Sequence, residues 1–231
     1  METFSIRKLE ALALIIGPIV ALTFFLLEPG SLFIDRVDAT DALGKIETLS
    51  SNKGISHLVG VLTSLGLVIL LYGVVGLKRA FNADSMIDSF AQFGVFCLII
   101  GGFGWFVSSG FVHVIAEIQM DSEQMKNIAL GIQKTDNGIA GTSSMFVALG
   151  FLVVSLRFSI RSFDGSLKIA SVINSIVSTI AFIAFIVGVS YEHDTMIAIG
   201  RACYLPWTIW ICILGIRSLK QGCTPQTTGV A

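Results

Sequence analysis

The sequence predicts an all-α integral membrane protein, a bundle of six transmembrane helices. Three observations carry that reading. Of its 231 residues, 54% are hydrophobic and 13% charged, against roughly 25% charged in an ordinary soluble domain. Six runs of about 20 residues are nearly free of charge, the length that covers about 30 Å of hydrocarbon at a rise of about 1.5 Å per residue. Those runs are continuously apolar, whereas barrel strands alternate, so the spans are helices. The same composition excludes a water-soluble fold, a disordered chain, a nucleic-acid-binding domain and a disulfide-stapled module. The lipid bilayer is the expected partner, and nucleic acid is not.

The first span covers residues 9–27, after Arg7 and Lys8. It ends in Leu-Leu-Glu-Pro-Gly-Ser without a small-x-small cleavage site, so it reads as a retained helix, with Pro18 as a potential kink. The loop 28–56 holds a short amphipathic helix in which Asp38 or Thr40 caps a turn bearing Leu43, Ile46 and Leu49. Spans two and three cover 57–77 and 90–117. In the third, Gly101, Gly102, Gly104, Ser108, Ser109 and Gly110 are a run of small residues, and Gly104 with Ser108 fits a small-xxx-small packing seam. The loop 118–138 predicts a second short amphipathic helix, opened by an Asp121-x-x-Gln124 box, with Met125, Ile128, Ala129 and Ile132 on its apolar face. Span four covers 139–158. Span five, 169–191, carries a polar patch of Asn174, Ser175, Ser178 and Thr179 that needs partners inside the bundle. Span six, 196–216, contains Pro206, a second potential kink, and Trp207 and Trp210, whose indoles need acceptors at or near an interface. Residues 218–231 form a short tail, and the whole chain is a single domain.

Charge sets the expected orientation. Arg7, Lys8, Lys78, Arg79, Arg157, Arg161, Lys168, Arg217 and Lys220, nine of the fifteen bases, flank one side of the spans in short connections, which places that side in the cytoplasm. Eleven of the sixteen acids lie on the other side. Both termini are therefore expected in the cytoplasm of a cell-membrane protein, with the long loops outside. Cys97, Cys203 and Cys212 lie in spans and Cys223 in the tail, so the outer loops have no cysteine to pair. Gly54, Ile55, Leu65 and Gly66 match Gly138, Ile139, Leu149 and Gly150 in spacing, consistent with three in-out-in hairpins, the third without a long outer loop.

The residues able to carry chemistry gather at the outer ends of the spans. His113 and Glu117, four apart, share a helix face. With His57 and His193 they supply the nitrogen and oxygen ligands that a divalent transition metal takes, or else a proton-exchanging cluster. Arg201 lies about one and a half turns inside span six, where a cation calls for a partner. Glu117 is the expected one, in a structural ion pair. No motif with a fixed mechanism is present. The leading functional expectation is a non-enzymatic accessory or interaction subunit with structured outer loops, joined to a membrane-protein partner or a second copy. The alternatives are an outward-facing metal-binding enzyme or sensor built on His57, His113, Glu117 and His193, and a small-solute transporter or channel.

Overall fold

The computed structural model describes residues 6–81, 85–162 and 165–221; Cys223 and most of the predicted tail lie outside them. The chain forms α1 (Lys8–Leu26), α2 (Ala42–Ser51), α3 (Lys53–Arg79), α4 (Met86–Glu117), α5 (Glu123–Arg161), α6 (Gly165–Ser190), α7 (Asp194–Ala202) and α8 (Tyr204–Gln221). Six helices are long and apolar enough to cross a membrane, α7 and α8 together making the sixth. Each packs on its neighbour in the chain, α1 on α3, α3 on α4, α4 on α5, α5 on α6 and α6 on α8, and α8 packs back on α1. The spans thus close a ring.

Glycines allow the closest approaches. A Cβ at Gly66 of α3 would sit 2.4 Å from Ala21 N of α1, and one at Gly17 of α1 would sit 2.4 Å from Leu70 N. At Gly150 of α5 it would lie 2.7 Å from Gly94 O of α4. Gly66 and Gly150, matched in the sequence repeat, thus both stand where the second helix of a hairpin meets the backbone of the first. In α4, Cβ atoms at Gly101 and Gly104 would collide with Ser143 of α5, so the small-residue run is chiefly a packing seam. Gly110 faces open space.

Several elements differ from expectation. The amphipathic segment after residue 118 is not a separate surface helix. Ser122, rather than Asp121, accepts from Met125 N, and the helix then runs unbroken to Arg161; it contains no proline, and it continues through Asn137-Gly138 against the turn preference of that pair. At 39 residues α5 is about 58 Å long, well beyond the hydrocarbon thickness. On its amphipathic segment Ala129 is buried, while Met125 and Ile128 stay exposed. In the first loop Asp41 caps α2 through Gly44 N, replacing the expected Asp38 or Thr40. The sixth span breaks at Cys203 instead of kinking at Pro206. Pro206 falls in the first turn of α8, where a missing N–H costs no helical hydrogen bond.

Ser175 and Ser178 of the polar patch join α6 to its neighbours, whereas Thr179 donates within the helix to Ser175 O and the buried Asn174 side chain has no hydrogen-bond partner among the described residues. Ser178 accepts from Trp207 Nε1 at 2.9 Å and Ser171 from Trp210 Nε1 at 3.0 Å, while Ser175 bonds Ser155 of α5 at 2.9 Å. Both tryptophans are buried in the bundle rather than placed at an interface. At the face carrying the termini, buried Glu10 of α1 accepts from Arg79 of α3. Buried Asp88 of α4 accepts from Arg157 Nε at 2.8 Å and Arg161 Nη1 at 3.2 Å, one turn apart on α5. Removing one member of a buried pair costs about 3–5 kcal/mol. Asp88→Ala is therefore expected to destabilise the detergent-solubilised protein by about 3 kcal/mol, measured by equilibrium unfolding; a change indistinguishable from a lipid-facing control such as Ile173→Ala contradicts this role.

Candidate functional site

The ring encloses a cavity of about 400 Å³. Its mouth lies at the end that bears α2, opposite the termini, and is built by the loop before α2 together with α5 and α7. Gly30, at φ +83°, turns that loop inward, a conformation that favours glycine. The turn is closed by Gly30 N donating to Ile34 O at 2.8 Å and Val37 N to Gly30 O at 3.2 Å. Lys45 of α2 ties the loop down through Glu28 Oε1 at 2.5 Å and Pro29 O at 2.9 Å. Thr40 latches it to α7, donating N–H and hydroxyl to the Asp194 carboxylate, each at 2.8 Å. Beneath, Ile46 and Leu49 of α2 pack against Val112, Ile115 and Ala129.

Polarity changes down the cavity. At the mouth stand Glu28, Lys45, Gln133, Asp136 and Arg201. Asp136 accepts from the Ser108 hydroxyl of α4, and Gln133 Nε2 donates to Asn137 Oδ1 at 3.0 Å. Lower, Trp105 Nε1 donates to Ser144 Oγ at 3.1 Å, and Ser144 bonds the Tyr204 hydroxyl at 2.9 Å. The floor holds Leu67, Leu70, Phe151, Trp207 and Ile211, with the rings of Phe151 and Trp207 stacked at 5.0 Å. An apolar chamber beneath a few convergent polar groups is the usual make-up of a small-molecule site.

The predicted site residues divide between this cavity and a neighbouring cluster. His57 of α3 and His113 of α4 come together, with Nδ1 atoms 2.9 Å apart and rings stacked at 5.2 Å. His57 Nε2 lies 2.9 Å from Glu117 Oε1, and Lys53 donates to Glu117 Oε2. A carboxylate only accepts, so His57 donates from Nε2; neutral His57 then accepts at Nδ1 from His113 Nδ1–H. As a metal centre the cluster is incomplete: among the described residues no group of three or more His, Cys, Asp or Glu is arranged to hold a metal ion. His193, exposed before α7, makes no hydrogen bond or ring contact with the other histidines. Its backbone N–H closes the α6 end on Gly188 O at 2.9 Å.

The expected Arg201–Glu117 pair does not form. Glu117 is taken by Lys53 and His57, while Arg201 faces the cavity mouth and makes no salt bridge among the described residues. Arg201 belongs to α7, which packs on α6 and α8, whereas Glu117 ends α4. Thr63, Gln133 and Asp136 were not singled out by sequence reasoning. For Gln133 and Asp136 the signal lay in α5, where Gln133, Asp136, Asn137, Ala140 and Ser144 recur at i, i+3, i+4, i+7 and i+11, a stripe that all faces the cavity; Thr63 is a lone hydroxyl on α3.

No family model matches the chain, and comparison with the curated proteins and with the solved structures finds no match.

Since Arg201 and Glu117 share no partner, Arg201→Ala and Glu117→Gln are expected to change stability additively in a double-mutant cycle. A coupling energy above the error of the unfolding measurement contradicts the separation of the two sites.

Proposed function

We propose that this chain is a multi-pass protein of the cell membrane, its termini cytoplasmic and its α2 end outside, that binds a small amphipathic organic molecule in its central cavity without covalent chemistry. The cavity carries the reading, because about 400 Å³ of space graded from polar mouth to aromatic floor matches an amphipathic body in size and polarity. The excess of Lys and Arg at the terminal end supports the orientation. The ordered outer loop, which favours an accessory or interaction subunit when only the sequence is considered, turns inward as a wall of the mouth. A carrier for the same molecule is the second reading, favoured by the break at Cys203 beside the cavity, since interrupted helices line substrate paths in membrane bundles. The metal reading of His57, His113 and Glu117 has less support, as both ring nitrogens of His57 already have hydrogen-bond partners.

The test is saturable binding of a neutral, environment-sensitive amphiphilic dye to the protein in nanodiscs. Ala140→Trp and, separately, Thr208→Phe place bulk on the cavity wall and are expected to weaken binding about tenfold or more, with helical circular dichroism retained. Wild-type nanodiscs that take up no more dye than empty ones, or unchanged binding in both folded variants, contradict the reading. For orientation, Glu47→Cys and Lys126→Cys are expected to react with a membrane-impermeant thiol reagent on intact cells. Reaction only after permeabilisation reverses it.

A further inference from the structure

The cavity wall also specifies the polar end of its ligand, an inference that rests on the ligand-binding reading above. Two buried polar atoms on the wall have no hydrogen-bond partner among the described residues, Gln133 Oε1 and Thr63 Oγ1. Their residues are 2% and 8% exposed. The Gln133 amide is oriented by its Nε2–H bond to Asn137, which leaves its carbonyl oxygen as an acceptor awaiting a donor, a costly state for a buried group. One turn along the same face, the Asp136 carboxylate takes only the Ser108 hydroxyl and forms no salt bridge among the described residues. Arg201 likewise stands on the wall without a counter-ion there. Arg201 and Asp136 line the same cavity without pairing. Of the other charged residues lining the cavity, Glu28 and Lys45 pair at 2.5 Å, and Asp38, Asp41, Lys134 and Glu192 also stand on its wall. The mouth therefore presents an acceptor pole at Gln133 and Asp136, a separate cationic pole at Arg201, and an aromatic chamber below.

We propose that the cavity binds a zwitterion with an apolar body, its ammonium group donating to Gln133 Oε1 and Asp136, its anionic group meeting Arg201, and its apolar part resting against Tyr204, Trp207 and Phe151. A simple cation leaves Arg201 unanswered, a simple anion leaves Asp136 and Gln133 without a donor, and a neutral apolar molecule leaves all three. Aromatic rings below the charged mouth suit the apolar part of such a molecule. Two sources share this chemistry: an apolar amino acid or short apolar peptide from the outer solution, and a single-chain phospholipid with a primary-ammonium headgroup from the outer leaflet.

The test uses the full chain in phosphatidylglycerol nanodiscs, which contain no zwitterionic lipid, with binding followed by calorimetry and by displacement of the neutral dye. The probes are L-phenylalanine, L-phenylalanyl-L-phenylalanine and a lysophosphatidylethanolamine, whose primary ammonium can donate, beside phenethylamine and 3-phenylpropionate, which keep the apolar body and carry one charge each. At least one zwitterion is expected to bind tenfold or more tightly than both singly charged probes, and which one binds identifies the source. Arg201→Gln is expected to remove the advantage over phenethylamine, and Asp136→Asn the advantage over 3-phenylpropionate. Both are conservative changes, and Arg201 is exposed. Singly charged probes binding as well as the zwitterions, or saturable dye binding that no zwitterion displaces or accompanies with heat, overturns this inference and leaves the cavity reading standing. Absence of both dye and zwitterion binding overturns the two together.

Discussion

Within hydrocarbon no water is present to satisfy a polar atom, so each polar group on a spanning helix must find its partner inside the protein. That constraint organises most of this bundle, with Thr63, Gln133 and Asn174 as the exceptions among the described residues. The indoles of Trp207 and Trp210 reach serines of α6, Ser155 of α5 meets Ser175 of α6, and Ser144 of α5 sits between Trp105 of α4 and Tyr204 of α8. Each bond joins different helices, and together they set the order of the ring around its centre. The opposite faces are correspondingly apolar: on α6, Ile169, Ile173, Ile176, Ile180 and Ile183 recur along one exposed stripe, as the surface toward lipid requires. Lipid supplies no hydrophobic force between helices, so close backbone contact at Gly17, Gly66 and Gly150 supplies much of the packing.

The two ends of the ring resolve their charges in opposite ways, and the difference gives the molecule its polarity. At the terminal end the acids Glu10 and Asp88 are buried and answered by arginines of the adjoining helix, which pins α1 to α3 and α4 to α5. At the α2 end the charges ring an opening. Glu28 and Lys45 hold the loop, Thr40 and Asp194 latch it across to α7, and Asp136 and Arg201 stay apart. A closed floor and a charged mouth are what a site for a molecule approaching from one side needs.

The spans were legible from their apolar runs because length and charge alone decide what can cross hydrocarbon. The ends of helices outside the membrane were less so. Residues 123–138 read as a separate surface helix because their pattern is amphipathic, yet nothing in that pattern says whether a helix stops before the next span. The site was legible in part. Helical spacing put His113 and Glu117 on one face, and α3 packing on α4 brought His57 to them. Which helices touch is not encoded in spacing within one helix, and for that reason His193 and Arg201 went to partners that α7 does not reach. Gln133 and Asp136 sit in a stripe that reads as ordinary loop polarity until α5 is seen to be continuous.

Ligand binding inside the ring requires a water-accessible cavity that descends from the α2 end to the aromatic floor. Thr208, on α8 one turn below Tyr204 and on the cavity wall, reports on it directly. In a chain whose four cysteines are replaced by alanine, Thr208→Cys should react with a small membrane-impermeant thiol reagent added to intact cells, and more slowly when Ala140→Trp is also present. A Thr208→Cys protein that stays unlabelled under conditions that label Lys126→Cys would contradict the account.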